Sequence, residues 1–88
     1  MYNVIKKVYQ DRHNTIEEVV YSSFDHINCE DAITGMVFDE KMPEGHKIAN
    51  IGWWYRGETP IEYRIEYYPE TDYICNTDIV VVLEIVEA

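Results

Sequence analysis

Basic residues are scarce in this sequence. Seven Lys and Arg stand against seventeen Asp and Glu, a formal net charge of −10. That shortage argues against direct nucleic-acid binding, because phosphate contacts need a Lys/Arg surface. It argues equally against an anionic membrane surface. No apolar run approaches the ~20 residues of a membrane-spanning helix. The opening MYNVIKKVYQ lacks the apolar h-region of a signal peptide. The expected location is therefore cytoplasmic, the host cytoplasm for a phage-encoded chain. Only two cysteines are present, Cys29 and Cys75, and neither belongs to a CxxC pair. Without a secretory signal, two reduced thiols are expected.

Motifs of catalysis are missing too. There is no GxSxG, no Walker loop and no GxGxxG. The three histidines are His13, His26 and His46. His26-x-x-Cys29 is a single pair, whereas a zinc site needs about four ligands. The acid pairs Glu17/Glu18, Glu30/Asp31 and Asp39/Glu40 arise from composition alone in so acidic a chain. Acid–base work would need one carboxyl desolvated. The chain of 88 residues leaves little room for a closed pocket. A non-enzymatic protein is expected, with no catalytic residue, no metal and no cofactor.

What is present is a well-populated core alphabet. Apolar residues make up 47% of the chain, with eight Tyr, two Trp and two Phe. This is too apolar for a disordered acidic tail, and the length suits one domain spanning 1–88. Residues 2–10, YNVIKKVYQ, read as a strand, although the spacing of Val4, Ile5, Val8 and Tyr9 also fits a helix, and DRHN breaks the pattern. In TIEEVVYSSFDHI, Thr15 and Glu18 form a T-x-x-E capping box. Ile16, Val19, Val20, Ser23, Phe24 and Ile27 then fall on one helical face. This predicts a helix over 15–27, with a strand at VVYSSF as the competing reading. Residues 31–42 are ambiguous. Cys29, Ala32, Ile33, Met36 and Val37 form a helical stripe with Asn28 as a cap, giving a second short helix at 29–41. Gly35 argues against it, because an interior glycine costs a helix about 1 kcal/mol relative to alanine. That favours a strand at 32–38.

The remainder reads as strands. KIANIGWWYR and IEYRIEYY flank GETP, a hairpin signal. The second run alternates: Ile61, Tyr63, Ile65 and Tyr67 face one way, Glu62, Arg64, Glu66 and Tyr68 the other. IVVVLEIV is apolar on both faces, the mark of a central or doubly covered strand. The predicted fold is α+β: an antiparallel sheet of about five strands in the order β-α-β-β-β-β, with one helix on one face.

The adjacent tryptophans Trp53 and Trp54 must then point to opposite faces. Pairing Tyr55 with Ile61, across a five-residue loop, sets Trp53 against Tyr63, Ile51 against Ile65 and Trp54 against Glu62. Trp54 then shares a face with Glu62, Arg64, Glu66 and Tyr68, a composition common at interfaces. A one-residue slip would exchange the two tryptophans. The competing reading folds the loop at 39–47 or the connection at 69–78 over the outer one. If Val80, Val82 and Val86 lie uncovered beside it, that face is an apolar patch that monomers rarely tolerate.

The leading expectation is an acidic binding protein that occupies the basic groove of a nucleic-acid-binding protein and inhibits it. Carboxylates on alternate strand residues would stand in for phosphates, and tyrosines would stack where bases do. Phage-type inhibitors such as anti-CRISPR proteins exemplify this class by analogy. Trp54, Glu58, Glu62, Glu66, Tyr68 and Glu70 are the candidate contacts, with Arg64 orienting them. The alternative is a homodimeric structural or assembly protein that pairs through the exposed sheet face.

Overall fold

A computed structural model describes residues 1–10 and 14–88. The predicted break at DRHN, and with it His13, falls on residues 11–13, outside the described residues. The chain forms β1 (Tyr2–Gln10), β2 (Asn14–Ser23), α1 (His26–Asp39), β3 (His46–Arg56), β4 (Thr59–Pro69) and β5 (Ile79–Glu87). All neighbouring strands are antiparallel, in the sheet order β2-β1-β5-β4-β3. The class is the expected α+β, one helix on a five-stranded sheet, but the element order is β-β-α-β-β-β.

Two segments therefore exchange roles. Residues 15–27 do not form a helix; most of the segment is strand β2. Thr15, Ile16, Val19 and Val20 are β-branched and favour extended backbone. The strand also pairs with its immediate predecessor, which sets Glu17 opposite Lys7 and Glu18 opposite Lys6. Opposite charges across a strand pair are favourable. The register slips by one residue between Val4 and Ile5. This makes Val20 the extra residue of a bulge, and Val20 packs against the core.

The helix lies downstream, at His26–Asp39 instead of the strand expected at 32–38. Asp25, not Asn28, caps it: the Asp25 carboxylate accepts the Ile27 N–H at 3.0 Å. Asn28 instead donates to the Ser23 hydroxyl. The stripe of Cys29, Ile33, Met36 and Val37 faces the sheet, with Cys29 and Ile33 fully buried. That burial outweighs the local cost of Gly35, which lies on the solvent side with nothing near its Cβ position.

The core is one layer between helix and sheet. Val4, Cys29, Ile33, Leu83 and Ile85 form one cluster, and Ile65, Tyr67 and Val81 a second. Val37 and Tyr63 touch both. The run IVVVLEIV takes the central position its two-sided apolar pattern predicts. The helix packs on β2, β1 and β5. On the helix side of the edge strand β3, Ile48 and Ile51 stay exposed. The β3–β4 connection is tighter than expected. Tyr55 pairs with Pro60, not Ile61, and Arg56 with Thr59. A two-residue turn, Gly57–Glu58, closes the hairpin, with Gly57 at φ 62°. A residue with a Cβ is strained there. The register slip between Trp54 and Tyr55 leaves the rest of the pairing as expected: Trp53 with Tyr63, Ile51 with Ile65, Trp54 with Glu62.

Candidate functional site

The tryptophan pair divides between the two faces of the sheet. Trp53 turns to the helix side and meets Tyr63 edge-on, ring centroids 5.3 Å apart. Trp54 turns to the helix-free side and is 50% exposed. At that exposure it is not buried under the 39–47 segment or the 69–78 connection. The Arg64 guanidinium lies 4.9 Å from its ring centroid, a cation–π contact that holds the indole as a shelf.

The alternation of β4 places Glu62, Arg64 and Glu66 on this same face, opposite Glu84, Val82 and Val80 of β5. Arg64 reaches the Glu62 carboxylate at 3.4 Å and that of Glu66 at 4.0 Å. Its Nε is buried without a partner. These are loose contacts: a strong guanidinium–carboxylate pair is shorter and bidentate. Tyr68 pairs with Lys47 near one end of the row. Glu70 follows just beyond β4, its N–H donating to the Gly45 carbonyl at 2.9 Å. Glu58 sits in the turn at the opposite end of the hairpin. The fold thus gathers Trp54, Glu62, Arg64 and Glu66 on one face, and sets Glu58 and Glu70 at the two ends of the β4 strand.

The three valines are not uncovered alike. Val82 is 5% exposed and Val80 and Val86 are half-buried. Val82 lies between Lys7 and Arg64, its cross-strand neighbours. The aliphatic stems of such residues shield apolar surface while their charged heads stay in water. Lys7 is held in place by Glu84 at 2.8 Å, and that hydrogen bond raises the ammonium pKa above its ordinary value. Lys7, Tyr9, Glu62, Arg64, Val80, Val82 and Glu84 line an open concavity of about 450 Å³. Val82, in the middle of that face, is thus covered by the chain's own ion-paired side chains, while Val80 and Val86 stay only half-buried.

His26 and His46 are engaged locally, as are the two cysteines. His26 stacks edge-on against Tyr2 and binds Glu30 at 2.8 Å. Both ring nitrogens of His46 meet acceptors: Nδ1 the Glu44 carbonyl at 2.9 Å, Nε2 the Asp78 carboxylate at 3.1 Å. Only the imidazolium can donate to both. Cys29 is buried and Cys75 exposed, and both are free thiols. Burial pushes the Cys29 thiol pKa up. Among the described residues no group of three or more His, Cys, Asp or Glu is placed to hold a metal ion, and no helix is long and apolar enough to cross a membrane.

Some prominent residues escaped the sequence reading. Phe24, Ile27 and Phe38 are among the most exposed large apolar side chains in the fold. Two of the three had been assigned to the apolar face of a helix at 15–27, which does not form, and Phe38 to the strand at 32–38. Compared with protein-family models, curated proteins and solved structures, the chain matches none.

Proposed function

We propose that this chain is a small acidic, non-enzymatic binding protein. It occupies the basic groove of a nucleic-acid-binding protein and inhibits it as a nucleic-acid mimic, working in the cytoplasm of the cell that holds the target. One observation carries this reading. The described residues hold sixteen carboxylate side chains. Four of them (Glu40, Glu62, Glu66 and Glu84) have a Lys or Arg within 4.0 Å. The other twelve have no Lys or Arg partner among the described residues. A surface so short of internal counter-charge steers toward a basic partner and gains from meeting one. On the helix-free sheet face, Trp54 adds a flat aromatic shelf. The loose Arg64 contacts leave lone pairs on Glu62 and Glu66 for a partner's cations. Phage-type inhibitors such as anti-CRISPR proteins have this general character.

The test is a pull-down with tagged protein from a bacterial lysate, washed at low and then high salt, followed by competition with duplex DNA. A nucleic-acid enzyme that salt releases and DNA displaces supports the proposal. A partner retained at high salt and indifferent to DNA overturns it. Glu62→Lys with Glu66→Lys is expected to weaken binding more than Glu17→Lys with Glu18→Lys. Equal losses would remove the site from the sheet face.

A further inference from the structure

The solvent face of α1 combines three features that nothing within the chain accounts for. The first is aromatic. Phe24 and Phe38 are the only two phenylalanines in the sequence. Phe38, in the last turn of the helix, is 85% exposed, and Phe24, just ahead of the Asp25 cap, is 81% exposed. Ile27 is exposed as well. Ile27 and Phe38 stand eleven residues apart, which at about 100° and 1.5 Å per residue puts them on one face, about 16 Å apart. Asp31 and Thr34 lie between them on that face, both exposed.

The second feature is charge. From His26 to Asp39 the helix contains no Lys or Arg. Asp31 and Asp39 have no cationic partner among the described residues. The third is Gly35. It lies inside the helix on its exposed side, with nothing within 4 Å of the place a Cβ would take. Glycine there costs about 1 kcal/mol relative to alanine. No close contact inside the fold requires the missing side chain.

We propose that this face is a second docking surface, built to pack against an amphipathic partner helix. Ile27 and Phe38 act as anchors, Phe24 extends them at the N-terminal end, and Gly35 is the point where a partner approaches the helix backbone. The occupant is an amphipathic helix of a partner protein, with an apolar stripe flanked by Lys and Arg. Ile27 and Phe38, on one helix face, can take the apolar stripe of a second helix, and the carboxylates of Asp31 and Asp39 beside them call for cationic flanks. A second copy of this chain would oppose acid to acid. The inference rests on the reading of the protein as a binder of basic surfaces, but places the contact on the opposite side of the sheet from Trp54.

Nuclear magnetic resonance titration of the isotopically labelled full chain tests it. The probe is a synthetic amphipathic helix with a leucine stripe flanked by arginines, and an oligo-arginine peptide of equal charge is the comparison. Amide shifts centred on residues 27–38 are expected, with binding about tenfold tighter than for oligo-arginine. Phe38→Ala, at a side chain the fold does not need, is expected to weaken binding about tenfold. Tyr73→Ala, at another exposed aromatic, leaves it unchanged. Gly35→Ala is expected to raise the melting temperature yet weaken binding, a combination that a merely structural glycine would not produce. Shifts centred on Glu62, Arg64 and Glu66 would overturn the helix surface and leave the basic-partner reading standing. No binding of either peptide at low salt would overturn both.

Discussion

Trp53 and Trp54 are neighbours in sequence and opposites in consequence. Trp53 packs against the core and Tyr63, so Trp53→Ala is expected to lower stability by about 3 kcal/mol through lost burial and the resulting cavity. Trp54 touches Arg64 from the solvent side. An exposed cation–π contact is worth about 0.5–1 kcal/mol, and Trp54→Ala is expected to cost no more than that. Urea denaturation of the two variants measures the contrast. His46 supplies a pH dependence. The Glu44 carbonyl, and then the Asp78 carboxylate, raise its pKa above the ordinary histidine value. A folded-state pKa above the unfolded one means that the proton stabilises the fold. The contribution is fully present below about pH 6.5, the unfolded value, and is lost as pH rises through the higher folded value. Urea midpoints are therefore expected to fall across that interval, and His46→Gln to flatten the fall.

At the scale of elements, α1 and the β3–β4 turn each depend on one residue. Asp25 closes the first turn of the helix by accepting the Ile27 N–H. Asp25→Ala is expected to destabilise by about 1 kcal/mol, and thermal denaturation would show it. Gly57, at φ 62°, is expected to lose a similar amount on replacement by alanine, because a Cβ disfavours that backbone region by about 1–2 kcal/mol. Serine or alanine at Gly35 should act in the opposite direction, since that glycine has an ordinary helical neighbourhood with open space around it. The two glycines thus separate a conformational requirement from a vacancy on a surface.

At the scale of the molecule, the excess of unpaired carboxylates sets the response to salt. Among the described residues four carboxylates are paired with Lys or Arg and twelve are not, so screening removes more repulsion than attraction. The melting temperature is expected to rise as sodium chloride is added at neutral pH. A fall would mean that the few ion pairs, Lys7–Glu84 and Lys6–Glu40 among them, outweigh the general repulsion. Partner binding should respond the other way and weaken with salt, because it draws on the same unpaired charge.

The strands of the C-terminal half were legible in the sequence because their patterns admit one period. Ile61, Tyr63, Ile65 and Tyr67 alternate with polar residues, and the two-sided run of β5 could only be central. The register that sends Trp53 inward and Trp54 outward followed from matching apolar faces. The N-terminal half was not legible, because Ile16, Val19, Val20 and Phe24 satisfy a helical period and a β composition alike. Only pairing with β1, through Lys6 and Lys7 facing Glu18 and Glu17, decides for strand. Once β2 is extended, the next segment must supply the cover for one face of the sheet, and the stripe of Cys29, Ile33, Met36 and Val37 becomes a helix in spite of Gly35. The same tertiary choice closes Val82 beneath Lys7 and Arg64 and turns Phe24 and Phe38 out to solvent. Composition determined by itself the acidity, since charge needs no partner to be counted, and the strand patterns of the C-terminal half carried the fold class. Which acids stay unpaired and which aromatics stay exposed depended on long-range contacts, and those exist only in the folded chain.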